Sequence, residues 1–204
     1  SEDELVGIIG EYDGLMIRSG TQVTAPVIAA ASRLKIIGRA GVGVDNVDVP
    51  AATQRGVLVV NSPEGNTIAA AEHALAMMLS LSRHVPQANA GMRAGKWDRK
   101  KYVGNELYKK TLGVVGLGKI GSHVAKVAQA MGMDVTAYDP FIAADRAKQM
   151  QVKLIELDEL FRTADYVTLH IPRTKDTENL VNADLLRTMK PTARIVNCAR
   201  GGVV

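Results

Sequence analysis

The sequence predicts an α/β fold in which parallel strands alternate with helices. Short apolar runs rich in Val, Ile and Leu recur along the 204 residues, and segments with helical periodicity separate them. Aromatic side chains make up only 4% of the chain, so aliphatic residues must fill the core. This composition suits strands that helices cover on both faces. A glycine-rich turn at 116–121 then joins a buried strand to a helix.

That turn carries the strongest functional signal. Gly116, Gly118 and Gly121 form G-x-G-x-x-G after the apolar strand 112–115. We expect Gly116 to permit a tight turn, Gly118 to let a pyrophosphate approach the backbone, and Gly121 to let helix and strand pack closely. The next strand ends in Asp139, whose carboxylate can hold the ribose hydroxyls of NAD and would repel the phosphate of NADP. The pattern predicts a Rossmann-type doubly wound parallel sheet. The alternative is a plain strand-turn-helix corner in which Asp139 caps a loop.

The first sixty-five residues predict a smaller α/β domain of flavodoxin-like type. A helix is expected near the N-terminus, with strands at 15–17, 35–39 and 57–60. Thr24 is placed to cap a helix that carries Pro26 in its first turn and runs to Leu34. A short helix should run from Asp48 to Arg55, with Gly56 as its C-cap.

Residues 66–204 predict the nucleotide-binding domain. Its first helix, from about Asn66 to Arg83, is apolar on nearly all sides, so we expect it to pack against its own domain and against a second subunit. Pro86 should end this helix, and a helix at 87–94 should follow. Trp97 lies in a basic loop and suggests an interface anchor, although a solvated surface loop is the alternative. The remaining strands are predicted at 135–138, 153–155, 166–170 and 194–197, with helices at 143–150, 157–163 and 183–189.

Composition limits the classes of function. The net charge of +4 suits anionic ligands, but the basic residues are too dispersed to predict nucleic-acid binding. A single cysteine, Cys198, rules out an internal disulfide and fits a reducing, cytoplasmic compartment. No cluster of Cys or His predicts a metal site. The acidic N-terminus does not resemble a secretory signal, and the apolar stretch 68–81 is too short to span a membrane.

Arginines at strand ends are the leading candidates for substrate contact. Arg200 follows a strand and precedes two glycines; its guanidinium can clamp a carboxylate and polarise a keto oxygen, but cannot donate a proton at neutral pH. Arg18 and Arg39 end two other strands and would suit a phosphate, and the loop 41–43 can offer N–H groups to a carboxylate. Surface salt bridges are the alternative for all three arginines. His170 ends a strand near the predicted cofactor, yet no histidine is an obvious proton donor.

Three separated segments, 38–46, 115–121 and 197–202, together resemble the D-2-hydroxyacid dehydrogenases, and shorter similarities at 15–19 and 61–66 support them. The resemblance covers essentially the whole chain. It implies NAD-linked oxidation of a small anionic 2-hydroxy acid, with 3-phosphoglycerate as the expected substrate and serine biosynthesis as the setting. Glyoxylate, hydroxypyruvate and D-lactate are alternative substrates, and an NAD-binding corepressor without enzymatic activity is an alternative function.

The resemblance also implies that residues 1–65 form the substrate domain, and it implies roles for individual residues. The expected NAD contacts are Val42, Gly116, Gly118, Lys119, Ile120, Gly121, Asp139, Ile171, Cys198, Ala199 and Arg200. The expected substrate contacts are Arg18, Arg39, Gly41, Val42, Gly43, Asn66 and Arg99. Arg200 is the expected catalytic residue, and Arg99 is expected to reach the substrate of a neighbouring subunit. The long helix and the Trp97 loop match the dimer contact of the family, which implies a homodimer or a higher homo-oligomer.

The family's catalytic Glu and His have no match up to Val204, and its first strand has no match before the N-terminal helix. We therefore expect the sequence to be part of a longer enzyme, with both domains incomplete. Acid–base catalysis typically contributes ~10²–10⁴ in rate, so these 204 residues alone should be nearly inactive.

Overall fold

The structure is a computed structural model that describes residues 1–204 and divides them into two compact units. Unit 1 is Ser1–Asn66 and unit 2 is Thr67–Val204. Each unit contains one parallel sheet with helices packed on it, so the predicted α/β class is confirmed. No helix has both the length and the apolar composition that crossing a membrane requires.

Unit 1 is built on three parallel strands in the order β1-β2-β3. The strands are β1 (Gly14–Ile17), β2 (Ile36–Arg39) and β3 (Leu58–Asn61). The helices are α1 (Glu2–Ile8), α2 (Ala25–Ala30) and α3 (Val49–Gln54). Side chains alternate along a strand, and Ile17 and Ile37 point into the core with the helices. The opposite face stays open, with Met16 84% and Leu58 58% exposed. Within unit 1 the helices therefore cover one face of the sheet only.

Helix α2 is shorter than the sequence predicts. It ends at Ala30 and does not reach Leu34, because the Arg55 guanidinium donates hydrogen bonds to the carbonyls of Ala29 and Ala31 and so satisfies the last turn. Thr24 is the N-cap residue of α2, as predicted, but its side chain makes no capping bond: its hydroxyl donates to the Glu2 carboxylate at 2.6 Å instead. Both deviations arise from contacts between residues more than twenty positions apart.

Unit 2 contains five parallel strands in the order β6-β5-β4-β7-β8. The strands are β4 (Thr111–Val115), β5 (Asp134–Tyr138), β6 (Lys153–Leu154), β7 (Tyr166–Leu169) and β8 (Arg194–Asn197). The helices are α4 (Thr67–Arg83), α5 (Val85–Arg93), α6 (Lys119–Ala130), α7 (Ala144–Gln149), α8 (Leu157–Thr163) and α9 (Ala183–Arg187). The strand order reverses between β4 and β7, which creates a topological switch point at the carboxyl ends of those two strands.

Both faces of this sheet are covered, as the predicted doubly wound architecture requires. Val114 packs with Met78 of α4 and Val124 of α6 in one core cluster. Val115, its neighbour in β4, points the other way and packs with Phe161 of α8. Because β4 is buried on both faces, its sequence is a continuous apolar run without alternation.

The break between α4 and α5 differs from the prediction. Helix α4 ends at Arg83 because His84 adopts a left-handed conformation with φ 53°. Helix α5 then starts at Val85, and Pro86 lies in its first turn. Proline is tolerated there because first-turn N–H groups have no partner within the helix. Pro86 therefore begins the second helix instead of ending the first.

Buried hydroxyls join α4 to the sheet at the amino ends of the strands. Ser82 and Tyr166 are both buried, and their hydroxyl oxygens lie 2.8 Å apart. Ser82 also donates to the carbonyl of Met78, and the Arg194 guanidinium donates to the Tyr166 hydroxyl at 3.3 Å. This network satisfies polar groups that would otherwise be costly in an apolar core.

We expect Tyr166→Phe to lower the free energy of unfolding of unit 2 by about 1–2 kcal/mol, because the buried Ser82 hydroxyl loses one of its two hydrogen-bond partners. Urea unfolding followed by circular dichroism measures the change. The double variant Ser82→Ala with Tyr166→Phe should lose less than the sum of the two single losses, since each substitution removes the same hydrogen bond. Strictly additive losses would contradict this coupling.

Candidate functional site

The glycine turn after β4 fits closely against two neighbours. Gly116 has φ 92°, a conformation that side chains disfavour, and a Cβ there would lie 2.7 Å from the carbonyl oxygen of His170. A Cβ on Gly121 would lie 1.9 Å from the carbonyl oxygen of Gly116. The predicted roles of these glycines in the tight turn and the close helix packing are confirmed. A Cβ on Gly118, in contrast, would meet no atom within 4 Å. The middle glycine faces open space at the start of α6.

Asp139 lies next to this turn. One carboxylate oxygen accepts a hydrogen bond from the Leu117 N–H at 2.7 Å, and the other accepts from the Phe141 N–H at 2.9 Å. The carboxylate at the end of β5 is therefore fixed beside the glycine turn. A carboxylate there can accept hydrogen bonds from a diol and would repel a phosphate. The Phe141 side chain is 95% exposed.

His170 closes the switch point from the side of β7. The backbone N–H of His170 donates to the carbonyl of Val115 at 2.8 Å. Its ring Nε2 lies 2.9 Å from the hydroxyl oxygen of the buried Thr168. Burial lowers the pKa of His170 from 6.5 to about 4, because the charged imidazolium would lose its hydration. The ring is therefore neutral at physiological pH. Ile171 packs beside Gly116, so the predicted cofactor contact at position 171 would be apolar.

Arg200 lies in the turn that follows β8. It is partly buried, and its guanidinium donates a hydrogen bond to the Ala199 carbonyl at 2.8 Å. Cys198 packs against the α4/α6 core, and burial raises the pKa of its thiol, which favours the protonated form. Because β4, β5, β7 and β8 are parallel, their carboxyl ends lie along one edge of the sheet. The glycine turn, Asp139, His170 and the Arg200 turn all follow strands at that edge.

A second group of predicted residues lies at the carboxyl ends of the strands in unit 1. Arg39 ends β2, and its register partner in β1 is Ile17, which Arg18 follows directly. The Arg39 guanidinium packs on Gly41 so closely that a Cβ on Gly41 would lie 2.0 Å from Nη1. The Nε atom of Arg39 is buried and has no hydrogen-bond partner. A buried, unpaired cationic N–H suits an anionic ligand.

Two asparagines that the sequence pattern does not single out hold the loops of unit 1 in place. Asn46 is buried, and its amide donates to the carbonyls of Arg18 and Thr21. Asn61 ends β3 and donates to the carbonyl of Val42 at 2.6 Å, which positions the 41–43 loop. Neither role has a signature in the sequence pattern, because each depends on a side chain meeting the backbone of a distant segment.

The other predicted residues lie elsewhere in the two units. Lys119 and Ile120 begin α6 directly after the glycine turn. Asn66 is the last residue of unit 1 and is exposed. Arg99 is exposed and begins a 3₁₀ turn, Arg99–Tyr102. Trp97, two residues earlier in the sequence, is 72% exposed. No group of three or more His, Cys, Asp and Glu side chains could hold a metal ion.

Known proteins are similar to this sequence over its whole length. The chain is 65% identical over 204 residues to D-3-phosphoglycerate dehydrogenase of Synechocystis sp. and 52% identical over 204 residues to that of Archaeoglobus fulgidus. These alignments cover 100% of this chain but only 37% and 39% of the two relatives. The chain therefore spans less than two fifths of the length of these curated relatives.

Solved structures show the same fold. The apo-structure of D-lactate dehydrogenase from Escherichia coli superimposes with a TM-score of 0.87 at 31% identity, covering 100% of this chain and 65% of that chain. D-Lactate dehydrogenase from Aquifex aeolicus, complexed with NAD and lactic acid, gives a TM-score of 0.89 at 31% identity and covers 100% of this chain and 60% of that chain.

The family match agrees with both comparisons. Residues 75–204 match the family described as D-isomer specific 2-hydroxyacid dehydrogenase, NAD binding domain. This range contains the glycine turn, Asp139, His170 and Arg200. The chain therefore belongs to the D-isomer specific 2-hydroxyacid dehydrogenase family, and the resemblance inferred from the sequence is confirmed.

Proposed function

We propose that this chain is part of an NAD-dependent enzyme that oxidises 3-phospho-D-glycerate to 3-phosphohydroxypyruvate in serine biosynthesis. The observation that carries the cofactor assignment is the open space at Gly118 beside the fixed carboxylate of Asp139. The substrate assignment is supported by the 65% identity to a relative named D-3-phosphoglycerate dehydrogenase and by the unpaired, buried Arg39 Nε.

The residues at the edge of unit 2 fit NAD. The first turn of α6 offers backbone N–H groups and the positive end of a helix dipole to a pyrophosphate, and Gly118 leaves room for its approach. Asp139 would accept hydrogen bonds from the ribose hydroxyls and disfavour NADP. When bound, NAD supplies the hydride acceptor for oxidation of the substrate carbinol. Residues 116, 171, 198 and 199 are proposed to contact the cofactor by packing and through their backbone.

We assign the charged groups of the substrate to the arginines. Arg200 would clamp the carboxylate and hold C2 of the hydroxy acid in a fixed orientation, and its positive charge would stabilise charge that develops on the C2 oxygen. Arg18 and Arg39 would bind the phosphate. Because His170 is neutral and a weak base at a pKa of about 4, it is not the group that we assign to removing the hydroxyl proton.

We also propose that the protein is a cytoplasmic homo-oligomer, at least a dimer. The support is helix α4, where Ile68, Leu79 and Leu81 are 41–49% exposed although other residues of the helix, such as Ala74 and Met78, are fully buried. Trp97 is an exposed aromatic in the same unit. Such side chains are typical anchors of subunit interfaces. Arg99, close to Trp97 in sequence, is proposed to act on the substrate of a neighbouring subunit.

We expect Gly118→Ala to weaken NADH binding at least about 10-fold, because the methyl group would occupy the space that the pyrophosphate needs. Fluorescence titration of the 204-residue chain with NADH measures the dissociation constant. The thermal midpoint should stay within about 2 °C of wild type, since the new Cβ meets no protein atom within 4 Å. Gly7→Ala, where a Cβ also meets nothing, is the matched control and should leave NADH binding unchanged. Unchanged NADH affinity in Gly118→Ala would contradict the proposed cofactor site.

Removal of the phosphate-binding charges should act selectively. In the full-length polypeptide we expect Arg18→Gln and Arg39→Gln each to lower kcat/KM for phosphoglycerate oxidation by about 10–100-fold, as the loss of a charge-assisted hydrogen bond implies. Glyoxylate reduction should change by less than about 3-fold, because glyoxylate has no phosphate. Arg33→Gln removes a surface arginine that pairs with Asp13 and should alter neither rate. Equal losses on both substrates would argue against a phosphate site.

The neutral state of His170 has a consequence for stability. Its pKa is about 4 in the folded chain and near 6.5 when unfolded, so the unfolded chain binds more protons between these values. The stability contributed by the neutral ring is present above pH 6.5 and is lost as the pH falls towards 4. We expect wild type to lose roughly 2 kcal/mol more than His170→Gln between pH 7 and 4.5, after allowance for partial solvent screening. Urea unfolding at both pH values tests this expectation, and equal losses would show that His170 titrates normally.

A further inference from the structure

The turn that carries Arg200 is fixed by the side chain of the residue that ends β8. The Oδ1 atom of Asn197 accepts a hydrogen bond from the Ala199 N–H at 3.1 Å, and its Nδ2 donates to the Arg200 carbonyl at 2.9 Å. One carboxamide thus bridges the backbone on both sides of the Ala199–Arg200 peptide. These bonds close a compact turn directly after the strand.

The chemistry of this bridge is specific to an amide. The side chain must accept at one atom and donate at the other within a span of three residues, and a carboxylate of the same size can only accept. Asn197 is exposed and does not belong to any of the three apolar clusters of buried residues, so its side chain is not required to fill the interior. Its side chain makes two hydrogen bonds, both to the backbone of the turn.

The far end of the turn is fixed as well. The Gly202 carbonyl accepts from the Asn179 N–H at 2.8 Å, and the Val203 carbonyl accepts from the Val181 N–H at 2.9 Å. The Arg173 side chain packs so closely on Gly202 that a Cβ there would lie 3.0 Å from Nε. Arg200 therefore lies between Asn197, which fixes the start of the segment, and residues 202–203, which are paired with another loop.

We propose that Asn197 is a positioning residue: its carboxamide holds the turn that orients the Arg200 guanidinium on the carboxylate of the 2-hydroxy acid. This inference rests on the proposed function. A displacement of about 1 Å at a substrate-orienting group can cost roughly 100-fold in rate, so two hydrogen bonds to the backbone of that group are enough to matter. The role differs from that of Arg200, because Asn197 acts through Arg200 and does not itself touch the substrate.

The test compares Asn197→Asp with wild type in the full-length polypeptide. Asp keeps the acceptor for Ala199 N–H, but places a second carboxylate oxygen against the Arg200 carbonyl. We expect kcat/KM for 2-hydroxy-acid oxidation to fall about 10–100-fold, while the NADH dissociation constant changes less than about 2-fold. Asn182→Ala is the matched control, since Asn182 is another exposed asparagine that bonds to backbone as the cap of α9. It should lower the thermal midpoint at least as much as Asn197→Asp, without the loss of rate.

A double-variant cycle separates positioning from a general structural effect. If Asn197 acts through Arg200, then Asn197→Asp should change kcat/KM less than about 2-fold when Arg200→Ala is already present. An equal loss in both backgrounds, a parallel loss of NADH affinity, or an unchanged rate in the single variant would overturn the role of Asn197. A wild-type protein without any 2-hydroxy-acid oxidation would overturn the proposed function together with this role.

Discussion

A Cβ at position 121 would lie only 1.9 Å from the carbonyl oxygen of Gly116, so glycine is the residue that fits there. The rest of unit 2 depends on this approach of two backbone segments. It brings α6 down onto the end of β4, so that Val124 reaches the core cluster of Val114. It also directs the start of α6 towards the edge of the sheet where β5, β7 and β8 end. A single constraint on side-chain volume thereby couples the packing of the fold to the formation of a cofactor site.

The two edges of the five-stranded sheet have different chemistry. At the amino ends, polar groups are paired with each other: Asp165 accepts from the Thr111 N–H and from the Lys190 ammonium, and Tyr166 bonds to Ser82. Backbone hydrogen bonding and the Lys190 partner lower the pKa of Asp165 in spite of its partial burial. At the carboxyl ends, Asp139 and Asn197 instead bond to the backbone of loops, and a Cβ on Gly118 would meet no atom within 4 Å. The amino edge therefore carries side-chain pairs, whereas the carboxyl edge carries the loops that we propose to bind ligands.

Patterns in the sequence predicted most of the elements, because strands buried on both faces form uninterrupted apolar runs and glycines mark turns. These patterns failed to predict helix ends that depend on distant residues or on an unusual backbone conformation. The end of α2 depends on Arg55, and the break after Arg83 depends on a left-handed His84, a conformation that no local preference predicts. In the site, Arg200 and Asp139 were predictable as polar residues at strand ends. The bridge made by Asn197, the neutral state of His170 and the unpaired Nε of Arg39 were not, since each depends on distances and burial in three dimensions.

The glycine turn also bears on the kinetics of cofactor exchange. Asp139 bonds to the Leu117 N–H, and Gly116 packs on His170, so contacts within the protein itself hold the shape of the turn. A turn that is held by such internal contacts costs little entropy to order when a dinucleotide binds. Variants that alter the contacts of the turn without disturbing its shape should then differ mainly in how long the cofactor stays, with entry rates close to one another.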